Sequence, residues 1–334
     1  VTLTDTNGVT SNNGDMTLTA SDTAGTDENG NILVTGPVDA NNGKLTATTD
    51  NGNIDFTDTV NADNDLSAKT DTGNIHFQNS IWSGTNILGE TTKEGTITLD
   101  GTAQAGKNID LKADQTGSII LHKDTTSGLD TNLATNDGSV LFQGTDDNAT
   151  EDVHVTSQQG NITVTTTGTG DIKDSHRDAN GDRAFLDATG GTISIDHSGK
   201  GDVDLYSVIA KKNVGVEVKD GYLYMDTVNG EPVALYVRNP EKGMDVKNAT
   251  VGKELDISGA HMNLDNVTQR PGDDEFLTIK PNGASDDQPI EQLDINNLRT
   301  NTGAHVTHLW LRDGSIKATK GKLYLDKVYI LDKA

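Results

Sequence analysis

Acidic side chains outnumber basic ones 51 to 26 in this sequence of 334 residues, so chance pairs of carboxylates are everywhere. Two carboxylates can cleave a glycosidic bond, but only when held about 5 to 9.5 Å apart across a groove. No spacing in the sequence selects such a pair. Aromatic platforms for a sugar ring are scarce, the tryptophans being Trp82 and Trp310. Catalysis is therefore not expected. A second arrangement of oxygens is more specific. Asp178, Asn180 and Asp182 alternate along Asp178-Ala179-Asn180-Gly181-Asp182, as at the start of a calcium-binding EF-hand loop. Arg183 stands where that loop needs glycine, and Thr189 where it needs a bidentate Glu. The segment reads as an Asx-rich turn, with calcium at Asp178, Asn180 and Asp182 as the alternative. The histidines, among them His261, His305 and His308, show no metal-ligand spacing. Absence of cysteine removes disulfides and thiolate zinc sites. No nucleophile elbow, phosphate loop or dinucleotide fingerprint is present, so no organic cofactor is expected.

The overall composition narrows the partners. A net charge of -25 opposes binding to nucleic acid or to anionic membrane surfaces. No run of 18 apolar residues offers a helical membrane span. With 32% hydrophobic and 4% aromatic residues, the chain has the bulk statistics of a disordered one. Periodicity decides otherwise.

Any site must be carried by a repeated scaffold. The phrase Gly-x-Ile or Gly-x-Val recurs at Gly52, Gly73, Gly95, Gly117, Gly138 and Gly160, in steps of 21 or 22 residues. Each instance opens a short alternating segment, such as Ile54-Asp55-Phe56 or Ile97-Thr98-Leu99, which is the signature of a strand with one face buried. Gly, Asn and Asp flank the segments, as tight turns require. A second, weaker strand follows in each period, as in Asn108-Ile109-Asp110-Leu111. The period is too short for a propeller blade and lacks the helical pattern of leucine-rich repeats. It fits an all-β fold, a right-handed parallel β-helix, in which each coil adds a rung about 4.8 Å from the last. Roughly 13 to 15 coils, about 60 to 70 Å, are expected. Ile54, Ile75, Ile97, Ile119, Val140 and Ile162 should form one inward column.

The phase breaks after Ile162, because Gly191-Thr192-Ile193 comes 31 residues after Gly160-Asn161-Ile162. This predicts an insertion near 167-183 within a regular part, residues 1-202. Residues 203-334 read as a continuation with longer rungs, marked by phrases such as Leu223-Tyr224-Met225-Asp226 and Leu323-Tyr324-Leu325-Asp326, and with an insertion near 269-288. Rungs are fixed by stacking, so recognition is expected on the insertions. Asp174, Arg177, Arg183, Arg270, Asp273 and Asp274 are the candidate ligand contacts. The strand-like final segment suggests a piece of a longer chain.

The tandem phrases Asn51-Gly52-Asn53-Ile54-Asp55-Phe56 and Gln159-Gly160-Asn161-Ile162-Thr163-Val164 resemble the repeats of filamentous haemagglutinin-type adhesins, many of them exported by two-partner secretion. The resemblance is best from Gly43 to Ile195. It implies an extracellular or bacterial cell-surface location and a stiff shaft that displays loops to a host or neighbouring-cell ligand, glycan or protein. Two alternatives use the same fold: a carbohydrate-active enzyme of the polysaccharide lyase or tailspike glycosidase kind, and a self-associating extracellular filament subunit.

Overall fold

The computed structural model describes residues 1–5, 7–21, 30–144, 151–178, 181–281 and 290–330. Among them there is no helix, and every strand pairing is parallel, in a β-solenoid of about 13 turns.

Through the first part each coil holds three short strands. The first sheet stacks Ile54–Phe56, Ile75–Phe77, Ile97–Leu99, Ile119–Leu121 and Val140–Phe142. The second stacks Val60–Ala62, Ile81–Ser83, Ala103–Ala105 and Thr125–Ser127. The third stacks Leu66–Thr72, Ile87–Glu94, Ile109–Ala113 and Thr131–Thr135. Burial alternates along each strand, so a coil contributes only a few apolar side chains, yet they merge into one continuous core. Phe56 and Phe77 stack in it with ring centroids 5.2 Å apart. This is how a chain with so little apolar content buries enough of it.

The corners explain the Gly-x-Ile phrase. A Cβ on Gly95 would lie 1.7 Å from the carbonyl oxygen of Gly73, so the backbones stack too closely there for any side chain. The residue after the glycine accepts the amide of its counterpart one coil on. Asn31 accepts from Asn53 (2.8 Å), Asn53 from Asn74 (2.9 Å) and Asn74 from Thr96 (2.9 Å). Ser118, Ser139 and Asp171 continue the relay. Each side-chain oxygen thus satisfies an amide that the turn leaves without a ladder partner.

The column expected from the spacing holds from Ile54 through Val140 and then departs from expectation. The next rung on Val140 is Ile172, not Ile162. Ile162 lies in the third sheet, between Thr131 and Ile193. The cause is an additional insertion. Val140 to Val155 spans 15 positions where Ile119 to Thr125 spans 6. That excess nearly equals the 10 positions from Ile109 in the third sheet to Ile119 in the next first-sheet strand. A 22-residue step therefore changes sheet while keeping its apparent phase. The third-sheet corner deepens the disguise by using the same relay, with Asn108 accepting from Asp130, Asp130 from Asn161 and Asn161 from Thr192. The other excess lies between Lys173 and Arg183, within the stretch expected from the sequence.

From Val203 the coil changes. Val203–Ala210 pairs with both Ile172–Lys173 and Arg183–Ala188, so the first two sheets merge and one corner disappears. Successive coils then hold one long strand and one short one, with Leu223, Met244, Met262 and Leu293 in register. The extended chain Ile290–Ile330 wraps the final coils, laying Gln292–Arg299 beside His261–Thr268 and Ala304–Val306 beside Leu277–Ile279.

Candidate functional site

The described residues of the insertion after Lys173 hang from one carboxylate. The Asp174 side chain is fully buried. Its Oδ2 accepts the amides of Ala184 (2.7 Å) and Tyr206 (2.9 Å), and its Oδ1 accepts the amide of His176 (3.0 Å) and a bond from His176 Nδ1. Ser175 closes the loop by bonding Asp182 in both directions, Oγ accepting and backbone N–H donating. Asp182 engages its two oxygens with the amides of Gly144 (2.7 Å) and Glu151 (2.9 Å), joining the loop to the neighbouring coil's insertion.

His176 is the centre of the loop, its side chain only 3% exposed. Nδ1 also faces Asp204 Oδ1 at 3.6 Å, and Nε2 faces Asp226 Oδ1 at 3.4 Å. The ring meets Tyr206 edge-on, with centroids 5.7 Å apart. Burial alone would lower the His176 pKa, but the hydrogen bond to Asp174 and the charges of Asp174, Asp204 and Asp226 together raise it above the ordinary imidazole range. Burial pushes the Asp204 carboxyl up, against the pull of His176 and Arg177. Asp204 Oδ1 is buried and accepts no hydrogen bond.

Two guanidinium groups form the exposed rim. Arg177 lies over the Tyr224 ring at 4.1 Å and contacts Asp204 Oδ2 at 3.4 Å. Arg183 lies over the Tyr206 ring at 5.0 Å, and Phe185 packs edge-on against that ring. Beyond Tyr224 the surface sinks into a hollow of about 220 Å³ lined by Tyr222, Met244, Asp245, His261 and Asn263 among others. Lys242 caps Tyr222 at 4.6 Å. Cation–aromatic pairs of this kind hold a charged, flat, apolar-backed surface in place.

Of the residues expected at the insertions, the fold brings Asp174, Arg177 and Arg183 together, but in different roles. Asp174 anchors the loop from inside, and the two arginines face solvent. Arg270, Asp273 and Asp274 belong to another turn. Arg270 binds Glu231 (3.1 Å) and Asn229 (2.8 Å), Asp273 is half-buried, and Asp274 is exposed. Of the calcium candidates, Asp178 is exposed, Asp182 is committed to two amides as above, and Asn180 lies outside the described residues. Among the described residues, the three acidic or histidine side chains whose ligand atoms converge are Asp174, His176 and Asp204. Sequence reasoning did not find Asp204, Tyr206, Tyr224 or Asp226. Their available signal was outward alternation in the phrases starting at Val203 and Leu223, which stack Asp204 on Tyr224.

A buried imidazole has no room for a substrate, so the inner cluster is suited to holding the loop. The arginine–tyrosine rim and the hollow are suited to contact. Comparison with protein-family models, with curated proteins and with solved structures finds no match for this chain.

Proposed function

We propose that this chain is a shaft segment of an extracellular fibrous adhesin, displaying the insertion at 174–183 to a glycan or protein on a host or neighbouring cell. The observation that carries this reading is the placement of the loop-borne cations Arg177 and Arg183 beside a tyrosine-lined hollow on a β-solenoid. A solenoid is stiff because each coil is fixed by its neighbours, and it gains recognition by lengthening a turn. Arginine and tyrosine are the side chains that most often anchor contact surfaces. A negative net charge keeps such a β-rich rod soluble. The reading places the protein at the cell surface or outside the cell and gives it no catalytic role.

The test is binding of the purified chain to cells and to a glycan array, with analysis for cleaved products. Arg177→Ala, Arg183→Ala and Tyr224→Ala are each expected to weaken binding about tenfold or more, with no turnover. Binding that is indifferent to all three would move the contact elsewhere on the rod. Cleaved products would favour the carbohydrate-processing alternative.

A further inference from the structure

We propose that Asp174 Oδ1, His176 Nδ1 and Asp204 Oδ1 form a binding site for one divalent first-row metal ion, zinc by the character of the donors. One ligand atom from each of Asp174, His176 and Asp204 lies within 4.8 Å of the other two. In a tetrahedral zinc site with ligands near 2.0–2.1 Å, ligand atoms sit about 3.3 Å apart. The 3.6 Å between His176 Nδ1 and Asp204 Oδ1 is close to that value. The hydrogen-bonded Asp174–His176 pair would separate to admit the ion, and the proton of His176 Nδ1 would be released to solvent.

Three further observations point to a cation rather than to packing alone. Asp204 Oδ1 is buried without a hydrogen-bond donor, an expensive state for a carboxylate oxygen unless a cation faces it. The first ligand is held rigidly, because Asp174 Oδ2 is fixed by the amides of Ala184 and Tyr206 from two different strands. The far side of the imidazole meets Asp226 Oδ1 at 3.4 Å, the carboxylate behind histidine that commonly orients a metal-bound ring. Arg177 holds Oδ2 of Asp204 at 3.4 Å, leaving Oδ1 toward the ring, while Lys247 at 2.6 Å shares Asp226 Oδ1 with the imidazole. An imidazole ligand selects against calcium, which prefers an all-oxygen set. This site differs in residues and in metal from the calcium arrangement considered for Asp178 to Asp182. Binding here would lock the insertion to the coils on which Asp204 and Asp226 sit.

The competing arrangement is an imidazolium in place of the ion, and zinc uptake separates the two. The purified chain is titrated with zinc against a chromophoric chelator, with excess calcium present. One zinc per chain is expected, undisturbed by calcium. His176→Ala and Asp204→Asn should each weaken uptake by at least about 100-fold, and Asp226→Asn by about 10- to 100-fold. Cobalt should give the intense visible bands of a four-coordinate site. Circular dichroism checks that the variants fold, and Asp204→Asn decides alone if His176→Ala does not. Failure of the parent chain to take zinc from the chelator overturns the proposal. So does uptake unchanged by the folded variants, which would assign the zinc to surface carboxylates.

Discussion

Asp65 shows how an outward carboxylate stabilises a coil when the next coil supplies its donors. Thr85 Oγ1 and Asn86 Nδ2 bond to it at 2.5 and 2.8 Å, and Lys44 Nζ sits 3.1 Å away. Led by the Thr85 hydrogen bond, these partners lower its pKa to about 2. The ordinary unfolded value is about 3.9. The folded state therefore favours the ionised form, and the contribution is fully present above pH ~4 and lost as pH falls toward 2. Asp65→Asn should lower thermal stability at pH 7, by less than about 1 kcal/mol because the group is partly solvated, and the gap should close by about pH 2. A gap constant with pH would show that the charge contributes nothing. The inward positions behave differently. Ile119 is fully buried in the stacked column, whereas Thr98 points outward from the neighbouring rung. Ile119→Asp should cost at least about 4 kcal/mol in urea unfolding, through the lost contact and the unpaired charge. Thr98→Asp should stay within about 0.5 kcal/mol. Equal losses would contradict the facing of this strand.

At the scale of the element, the corner matters more than the strand. Gly95 combines φ near 143° with a carbonyl 1.7 Å from where a Cβ would stand. Gly95→Ala should destabilise by about 2 kcal/mol or more. Gly215, with no atom within 4 Å of its would-be Cβ, is the control. Gly215→Ala should be neutral or stabilising by about 0.5 kcal/mol, through the unfolded chain. Calorimetry of the two variants checks both signs. The same corner chemistry set the limit of what the sequence revealed. Gly-x-Ile announced the solenoid, its coil length and the facing of its first-sheet strands, because stacked backbones demand glycine and an acceptor side chain. It did not identify the corner, since Asn74 before the first sheet and Asn161 before the third perform one task. Ile162 was misassigned for that reason. The insertion at 174–183 was legible as a break in phase. Its partners were not, because Asp204, Tyr224 and Asp226 reach it by stacking across coils, and adjacency between coils leaves no spacing to read.

For the whole molecule, stability is distributed along one axis, each coil contacting its neighbours. Insertions are therefore tolerated where they leave the corners intact, and they determine which surface residues are brought together. The first excess stretch carries Ile162 onto Thr131 and Ile172 onto Val140, and the second carries Leu186 onto Val155, which sets the loop at 174–183 beside Asp204 and Tyr224. That register underlies both the contact surface and the zinc proposal. It is tested most directly by cysteine pairs, since the chain has no cysteine of its own. Asn132 and Thr163 are register partners on adjacent third-sheet strands, while Leu141 lies in the first sheet beside Lys173. A short thiol-to-thiol cross-linker should join Asn132→Cys to Thr163→Cys within one chain and leave the Leu141→Cys, Thr163→Cys pair unjoined. Efficient cross-linking of the Leu141–Thr163 pair, with none between positions 132 and 163, would contradict the register and the site built on it.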